Sequence, residues 1–412
     1  MSDRSSHPLD GVVVVDATDA SGAYCGRLLA DLGADVVRIE PPSGDPMRHH
    51  EPTVRLASGE IVSCFERFVN LNKRSVTLDV TNDAGRDLAK RLVGHCDVLL
   101  DTPGPGDVTS HGLTSEELAP LNPDLVRVSI SSFGFEGPYA QHASDDLITI
   151  ASGGLLSLGG YEDTPPISVY GNQTYFAESI FGAVGAVLGL LAREQDATAR
   201  RIDVCGQEAM ANALEDAVPD FDLTGSIRRR FGGQAREAGS GTFACADGFV
   251  TMVAGRLGTA AAWTSLVAWL NEVGTEGAGE LLDQCWNDHS FRQRRESITY
   301  FADVFERFAR GRLKHDLYHE AQARRIALAP VNTFADVLAD PQLEDRGFFE
   351  TVADPIAGVD LTYPGRPYRI DGLGPMVVRP APTPGEHTRD VFEVMLGVTS
   401  EELRYLETED AP

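Results

Sequence analysis

The feature that most restricts the fold is an early alternation of short apolar runs with helical segments. Residues 11–18, "GVVVVDAT", form an unbroken β-branched run typical of a strand buried on both faces. Residues 22–34, "GAYCGRLLADLGA", have helical spacing, and residues 35–42, "DVVRIEPP", predict a second strand that ends at proline. Strands alternating with helices predict a parallel sheet covered by helices.

The same alternation continues to about residue 134. "SVTLDVT", "CDVLLDT" and "DLVRVSISSFG" predict further strands, and "DAGRDLAKRLVGH" predicts a helix between them. We therefore expect an α/β fold with a doubly wound, Rossmann-like large domain. The loop after the first strand, "DATDASGAYCG", lacks the G-x-G-x-x-G pattern, which argues against a dinucleotide site but leaves room for a phosphate at the strand-to-helix turn.

The middle of the chain has a different pattern. "GTFACADGFVTMVAG" predicts two strands joined at the "ADG" turn, and "TSLVAWLNEVG" and "SITYFADVFERFARG" predict helices. The segment "APVNTFADVLADPQLEDRGFFETVADP" then returns to the sequence pattern of the first domain. This return indicates that the chain leaves its first domain and comes back to it near the C-terminus.

Composition limits the possible partners. The net charge of −27 argues against nucleic acid and anionic membrane surfaces, because phosphate binding needs basic clusters. The six cysteines are scattered without C-x-x-C pairs, so we predict neither a disulfide framework nor a metal site. The apolar run at 180–192 is too short to span a bilayer and the N-terminus lacks signal-peptide character, so we expect a cytoplasmic protein.

Several segments together carry a resemblance to a known family. They are "LDGVVVVD", "LLADLGADVVRIEPPSGDPMR", "NLNKRSVTLDV", "SSFGFEGPYA", "APVNTFADVLADPQLEDRGFF" and "PTPGEHT". In order and spacing the chain resembles the family III CoA-transferases, which include carnitine and formyl-CoA transferases and the related α-methylacyl-CoA racemases. The resemblance implies a large Rossmann-like, CoA-binding domain built from both chain ends, residues 1–224 and 326–412, and a small α+β domain from residues 225–325. It also implies that two chains are interlocked like links.

The resemblance also implies a ligand and its contacts. Coenzyme A or an acyl-CoA would be the substrate, with a carboxylic acid as acceptor and no tightly bound cofactor. The residues at the family's CoA-binding positions are Ala20, Ser21, Gly22, Arg38, Asn72, Lys73 and Arg74. Cations at three of these positions suit the phosphates of CoA.

Two further family features fall on loops. A signature of acidic residue, Asn, aromatic and Arg-Pro-Gly stands here as "DTPGPG", residues 101–106, without the Asn, the aromatic or the Arg. The mobile glycine-rich loop of the transferases corresponds to "RRRFGGQAREAGSG", where Gly232 and Gly233 are candidates for the same role.

The catalytic positions depart from the family pattern. Counted from Pro165 and Pro166, the family's catalytic aspartate falls on Tyr175 at the head of a predicted helix. A carboxylate attacks the thioester and forms a reactive anhydride, whereas a phenol with a pKa of about 10 is a poor substitute. The histidine of the racemase branch falls on Asp145, so neither member of the racemase pair is retained.

Three interpretations remain open from the sequence. The chain transfers CoA by a non-standard site or beside an aspartate-bearing partner subunit, as a homodimer or a hetero-oligomer with a paralogue. Alternatively, Asp145 as base and Tyr175 as acid move an α-proton of an acyl-CoA, as in a racemase, isomerase or lyase. In the third interpretation the chain binds acyl-CoA without turnover, Tyr175 is a pocket wall, and Asp145 and Asp146 are helix caps.

Overall fold

The structure, a computed structural model, describes residues 7–56, 58–103, 114–196, 200–230, 232, 235–256, 259–371, 378–400 and 402–403. The strands are β1 Val13–Ala17, β2 Asp35–Glu40, β3 Thr53–Arg55, β4 Ile61–Ser63, β5 Arg74–Thr77, β6 Val98–Asp101, β7 Val126–Ser131, β8 Arg200–Cys205, β9 Ser240–Cys245, β10 Gly248–Val253, β11 Ala327–Pro330, β12 Phe349–Asp354 and β13 Val359–Pro364.

The helices occupy the segments between these strands. They are α1 Ala23–Asp31, α2 Cys64–Val69, α3 Asp83–Val93, α4 Ser115–Leu118, α5 Asp146–Ser152, α6 Gln173–Asp196, α7 Gly206–Asn212, α8 Ala217–Thr224, α9 Ala260–Glu272, α10 His289–Arg292, α11 Arg295–Ala309, α12 Lys314–Ala323, α13 Phe334–Leu338 and α14 Pro341–Asp345. Short 3₁₀ turns lie at Pro46–His49, Leu155–Leu158, Ala278–Leu282 and Gln284–Asn287, and a π-helical segment at Asp390–Met395.

A parallel six-stranded sheet forms the centre of the larger unit, in the order β5-β2-β1-β6-β7-β8. Most residues of β1, β2, β5, β6 and β7 are buried, which explains the apolar runs that predict these strands. The edge strand β8 instead exposes Arg201 and Asp203. The chain moves outward from β1 to β2 and β5 on one side and from β6 to β7 and β8 on the other. The order reverses between β1 and β6, and ligands of such sheets bind at the carboxyl ends of the strands beside this reversal.

Successive residues of β1 belong to different cores. Val15 packs with Val37 and Leu99 in a core that also holds Phe392 from the C-terminal segment. Val14 belongs to the core on the opposite face of the sheet. The last part of the chain therefore covers one face of the sheet that the first part forms.

Helix α6 lies very close to the sheet because glycines face it. A methyl group added at Gly185 would stand 2.8 Å from Cγ2 of Ile202, and one added at Gly189 would stand 2.6 Å from Cγ1 of Val126. Of the described helices, one stretch of α6, Gln173–Gln195, is long and apolar enough to cross a membrane by length and composition alone. In the fold this helix packs on β7, β8 and α1.

The chain divides into two compact units. The larger comprises residues 1–156, 169–222 and 344–412, and the smaller comprises residues 157–168 and 223–343. The division implied by the family resemblance places residues 157–168, 223–224 and 326–343 with the large domain instead. In the smaller unit β9, β10 and β11 form an antiparallel sheet, and β9 and β10 turn at Ala246 and Asp247 as the "ADG" pattern predicts.

Candidate active site

A cleft of about 510 Å³ opens in the larger unit, at the carboxyl ends of β1, β2 and β5. The loop after β1 contributes Ala20 and Ser21, both predicted CoA contacts, and the start of α6 contributes Tyr175. The cleft therefore lies at the carboxyl edge of the sheet, where the strand order predicts a ligand. The structure thus brings three of the predicted site residues to one cavity.

The loop after β1 is held in place by its own acidic residue. The backbone N–H and the hydroxyl of Ser21 both donate to Oδ1 of Asp19, at 2.8 and 2.6 Å. Gly22, the third predicted residue of this loop, is buried, and a methyl group there would lie 2.7 Å from Cγ2 of Thr18. Gly22 therefore permits close packing of the loop, while Ala20 and Ser21 face the cleft.

The predicted cation Arg38 is turned into the protein. Its guanidinium is fully buried and donates to the carbonyl oxygen of Thr18 at 3.1 Å and to Oδ2 of Asp45 at 2.5 Å. Burial opposes its charge, but Asp16 and Asp45 hold the pKa of Arg38 above its ordinary value. In this arrangement Arg38 ties β2 to the loops beneath the cleft.

Lys73 is also internal. Its ammonium donates to Oδ2 of Asp16 at 2.7 Å, to the carbonyl oxygen of Ala23 at 2.7 Å and to Oδ1 of Asn70 at 2.9 Å, which uses all three of its donors. Burial alone would raise the pKa of Asp16, but Lys73 and Arg38 outweigh burial and hold that pKa below its ordinary value. Lys73 and Asp16 form a buried ion pair next to the N-terminal end of α1.

Asn72 and Arg74 bind other parts of the larger unit. The Asn72 side chain donates to Oδ1 of Asp31 and accepts the N–H of Arg379, both at 2.7 Å. The Arg74 guanidinium donates to Oδ1 of Asp35 at 2.8 Å and to Oδ2 of Asp390 at 3.2 Å. A role for Arg38, Asn72, Lys73 and Arg74 in CoA binding stays a prediction, and it requires these side chains to serve a ligand in addition to their partners within the protein.

Tyr175 lies in the first turn of α6 and faces several acids. Burial, together with the charges of Asp19, Asp146 and Glu178, raises the pKa of Tyr175 to about 12. The side chain is consequently a neutral phenol at physiological pH. A neutral phenol donates a hydrogen bond, but it is not an activated nucleophile.

Asp145 and Asp146 both cap helices, in different ways. Asp145 is exposed and accepts the N–H of Ile148 at 3.0 Å, as the N-cap of α5. Asp146 is half-buried and accepts the N–H of Thr174 at 2.7 Å, at the start of α6. Burial raises the pKa of Asp146, while hydrogen bonds from Thr174 and from the N–H of Tyr175 lower it in part. The first N–H groups of α6 are therefore occupied by a carboxylate of the same chain.

Glu178 lies one turn beyond Tyr175 and is 1% exposed. Within the described residues, neither of its carboxylate oxygens has a hydrogen-bond partner. Burial, reinforced by the charges of Asp19 and Asp146, raises the pKa of Glu178 well above its ordinary value. The sequence shows a carboxylate at this spacing, but not that it is enclosed.

Two predicted features lie partly outside the described residues. These are the "DTPGPG" segment from its fourth residue onward and Gly233 of the glycine-rich loop. The other glycine of that loop, Gly232, has a φ of 53°, and a methyl group there would meet the ring of Tyr161 at 2.2 Å.

Comparison with known proteins decides the family. A family model described as CoA-transferase family III matches residues 9–388 of this chain. The chain belongs to CoA-transferase family III. It is therefore a CoA-transferase-family enzyme, with an acyl-CoA as the substrate of its family.

Named relatives of this family III chain cover almost its whole length. It is 38% identical, over 92% of both chains, to the BbsE subunit of succinyl-CoA:(R)-benzylsuccinate CoA-transferase from Thauera aromatica. It is 29% identical, over 98% of both chains, to succinyl-CoA--D-citramalate CoA-transferase from Chloroflexus aurantiacus. A crystal structure of a CAIB/BAIF family protein from Brucella suis has a TM-score of 0.83 and 26% identity, and covers 95% of this chain and 100% of that one.

One residue of this family III cleft was missed by sequence reasoning. His50 lines the cleft together with Tyr175, and its Nε2 lies 2.9 Å from Nδ2 of Asn172. His50 follows the 3₁₀ turn Pro46–His49, and no metal or catalytic spacing marks it in the sequence. Its place in the cleft depends on Asn172 and Phe65, which hold the ring from two sides.

Proposed function

We propose that this chain is a subunit of a CoA-transferase that moves CoA from an acyl-CoA to a carboxylic acid, together with a partner chain that supplies the catalytic aspartate. The observation that carries this proposal is that Tyr175 is a neutral phenol with a pKa of about 12. The family resemblance assigns the catalytic aspartate to this position. The fold follows the family.

The chemistry of the transfer explains why a partner is needed. An attacking carboxylate forms an anhydride with the acyl group and releases the CoA thiolate. The thiolate then attacks the carbonyl of the enzyme residue in that anhydride, which forms an enzyme-bound CoA thioester and releases the donor acid. The acceptor carboxylate attacks this thioester and receives CoA through a second anhydride. A neutral phenol at the same place supplies no such carboxylate. The start of α6 offers little help with developing negative charge, because Asp146 already accepts the N–H of Thr174 at 2.7 Å.

The named relatives support a subunit role and a donor. The relative from Thauera aromatica is described as a subunit, and both named transferases carry succinyl-CoA in their names. We therefore propose succinyl-CoA as the CoA donor and a second carboxylic acid as the acceptor. Met47, His50 and Tyr175 line one part of the cleft, and their apolar and aromatic surfaces suit an acyl group with an apolar portion.

The outer face of α6 supports an assembly. Ile180, Val184, Leu188 and Leu191 are each about half exposed in the single chain, at 48, 50, 59 and 54%. Next to this face is a groove of about 470 Å³ lined by residues of α6, β8 and α7. A contiguous apolar face of this kind marks a protein interface, and we propose that a partner chain of the same fold covers it in an interlocked pair.

The alternative of α-proton transfer through Asp145 and Tyr175 has less support. Asp145 would act as the base, but its carboxylate is held as the N-cap of α5 by the N–H of Ile148. The enolate formed in such a reaction would also lack the first N–H groups of α6, which Asp146 accepts. The third possibility is that the chain binds acyl-CoA without turnover in any assembly. A single exchange experiment distinguishes CoA transfer, α-proton transfer and binding alone.

The test uses the chain alone and co-expressed with a family member that has aspartate at the position of Tyr175. CoA exchange between succinyl-CoA and a panel of carboxylic acids is followed by mass spectrometry in D₂O. We expect exchange only from the co-purified pair, and we expect Tyr175→Phe to leave it within about twofold of wild type, because a neutral phenol supplies no nucleophile. Exchange by the pure chain, or deuterium uptake without exchange, would contradict the proposal, as would an inert pair.

A further inference from the structure

Glu178 is the centre of a junction of three helices. A methyl group added at Gly206, the first residue of α7, would lie 2.3 Å from Oε2 of Glu178, 3.0 Å from Cγ2 of Thr149 and 3.3 Å from Cγ2 of Thr174. The side chains of α5 and α6 thus converge with the backbone of α7 on the carboxyl group. Glycine at 206 leaves the space that this group fills.

The charges around the junction are all acidic. Asp146 at the start of α5 and Asp19 in the loop after β1 act on Glu178, and both disfavour its ionisation. Asp145, the N-cap of α5, and Glu208 on α7 are acids of the two helices packed against Glu178, and both are exposed. Tyr175 on α6 is neutral at physiological pH. Among the described groups that act on Glu178 there is no cation to compensate an ionised carboxylate.

The junction also positions Tyr175, one of the residues that line the cleft. Asp146 holds the N–H of Thr174, and the hydroxyl of Thr174 donates to the carbonyl oxygen of Asp146 at 3.3 Å. These contacts place the first turn of α6 against α5, with Tyr175 projecting into the cleft. An ionised Glu178, one helical turn from Tyr175, would repel the Asp146 carboxylate and so weaken the contact between the first turn of α6 and α5.

We propose that Glu178 is a positioning residue that holds a proton in the folded protein and, as a neutral acid, keeps α5, α6 and α7 together beneath Tyr175. Loss of this proton opens the junction and releases the first turn of α6 from Asp146. The inference rests on the geometry of this one chain and does not depend on the proposed partner. Its test is therefore independent of CoA transfer.

The sign of the pH dependence comes from the two states of Glu178. In the closed junction its pKa lies well above the ordinary value of 4.5, which it regains when the junction opens. Between these two values the open state releases a proton, so opening becomes about tenfold more favourable for each unit of pH. Above the raised pKa the opening no longer changes with pH.

The experiment is hydrogen exchange by mass spectrometry from about pH 5 to 9, on the full chain, corrected for the intrinsic exchange rate. We expect protection of the first turn of α6 to fall about tenfold per pH unit from pH 5 up to a plateau. Glu178→Gln, a neutral isostere, should keep the protection constant. The control Glu194→Gln removes an exposed acid of the same helix and should behave like wild type.

Two results would overturn the proposal. One is a wild-type α6 start whose protection does not change with pH, and the other is a Glu178→Gln variant whose protection falls as steeply as that of wild type. If Glu178→Gln does not fold, the wild-type slope decides by itself, because helix α11 of the smaller unit serves as an internal reference and should show no such slope.

Discussion

Replacing Lys73 by methionine separates a structural role from a ligand-binding role. Its ammonium is fully buried and bonded to Asp16, so the replacement leaves the Asp16 carboxylate buried without its closest cation. Removal of one member of a buried ion pair costs about 3–5 kcal/mol of unfolding free energy. Arg38 remains 3.5 Å from Oδ1 of Asp16 and compensates in part, so we expect the lower end, about 3 kcal/mol.

The assay is urea unfolding followed by two signals. All three tryptophans, Trp263, Trp269 and Trp286, lie in the smaller unit, so their fluorescence follows that unit, while far-ultraviolet circular dichroism follows the whole chain. Lys73→Met should shift the circular dichroism transition to lower urea. The double variant Asp16→Asn with Lys73→Met should recover a large part of the loss, because it removes the uncompensated charge.

A matched control is Lys90→Met, whose ammonium pairs with Glu117 at 3.3 Å on the surface. Both side chains are about one third exposed, and we expect a cost within about 1 kcal/mol. The reasoning is refuted if Lys73→Met unfolds within about 1 kcal/mol of wild type and has lost affinity for CoA. That outcome would make Lys73 a ligand-binding residue, as the family resemblance implies.

Three further predictions concern the site and α6. Asp146→Ala should lower the unfolding free energy by about 1 kcal/mol, measured by urea titration, because it removes the side chain that accepts N–H groups at the start of α6. A change below about 0.3 kcal/mol would show that water takes over these hydrogen bonds fully. Gly189→Ala should lower the unfolding free energy by about 1–3 kcal/mol in the same assay, because the added methyl group would stand 2.6 Å from Val126 Cγ1. A neutral or stabilising effect would mean that α6 can shift away from the sheet without loss of stability. Comparison of Glu178→Gln with the double variant Glu178→Gln, Tyr175→Phe at pH 10.5 should show no tyrosinate absorbance from residue 175. The neutral side chain at 178 keeps the junction closed at this pH, and burial with the charges of Asp19 and Asp146 raises the pKa of Tyr175. A full tyrosinate signal there would remove the argument that this phenol is inert.

Strands β1, β2, β5, β6 and β7 of the sheet were predictable because most of their residues are buried, whereas the edge strand β8, with Arg201 and Asp203 exposed, was not predicted. Runs such as "VVVV" in β1 need no knowledge of their neighbours to be recognised as central strands, and their alternation with helices implies parallel order. The cleft was predictable in part for the same reason, since Ala20 and Ser21 lie in the loop directly after β1. Loops at the carboxyl ends of the strands form the ligand side of such a sheet.

The partners of the predicted cations were not predictable. Lys73 lies directly before β5, and only its contact with Asp16, 57 residues earlier in the chain, shows that it points inward. Glu178 is enclosed by Gly206 of α7 and Thr149 of α5, so its burial depends on three helices that no local pattern connects. Tyr175 was identified from spacing alone, but its electrostatic surroundings required Asp19 and Asp146 from two other elements.

The most direct test of the central claim is to locate the covalent intermediate of the transfer. The co-purified pair is incubated with succinyl-CoA, quenched, digested, and searched by mass spectrometry for a carboxylate that carries CoA or the acyl group. Our account predicts the adduct on the aspartate of the partner chain and no adduct on this chain, including Asp145 and Glu178. An adduct on any residue of this chain would contradict the claim that its own site lacks a nucleophile.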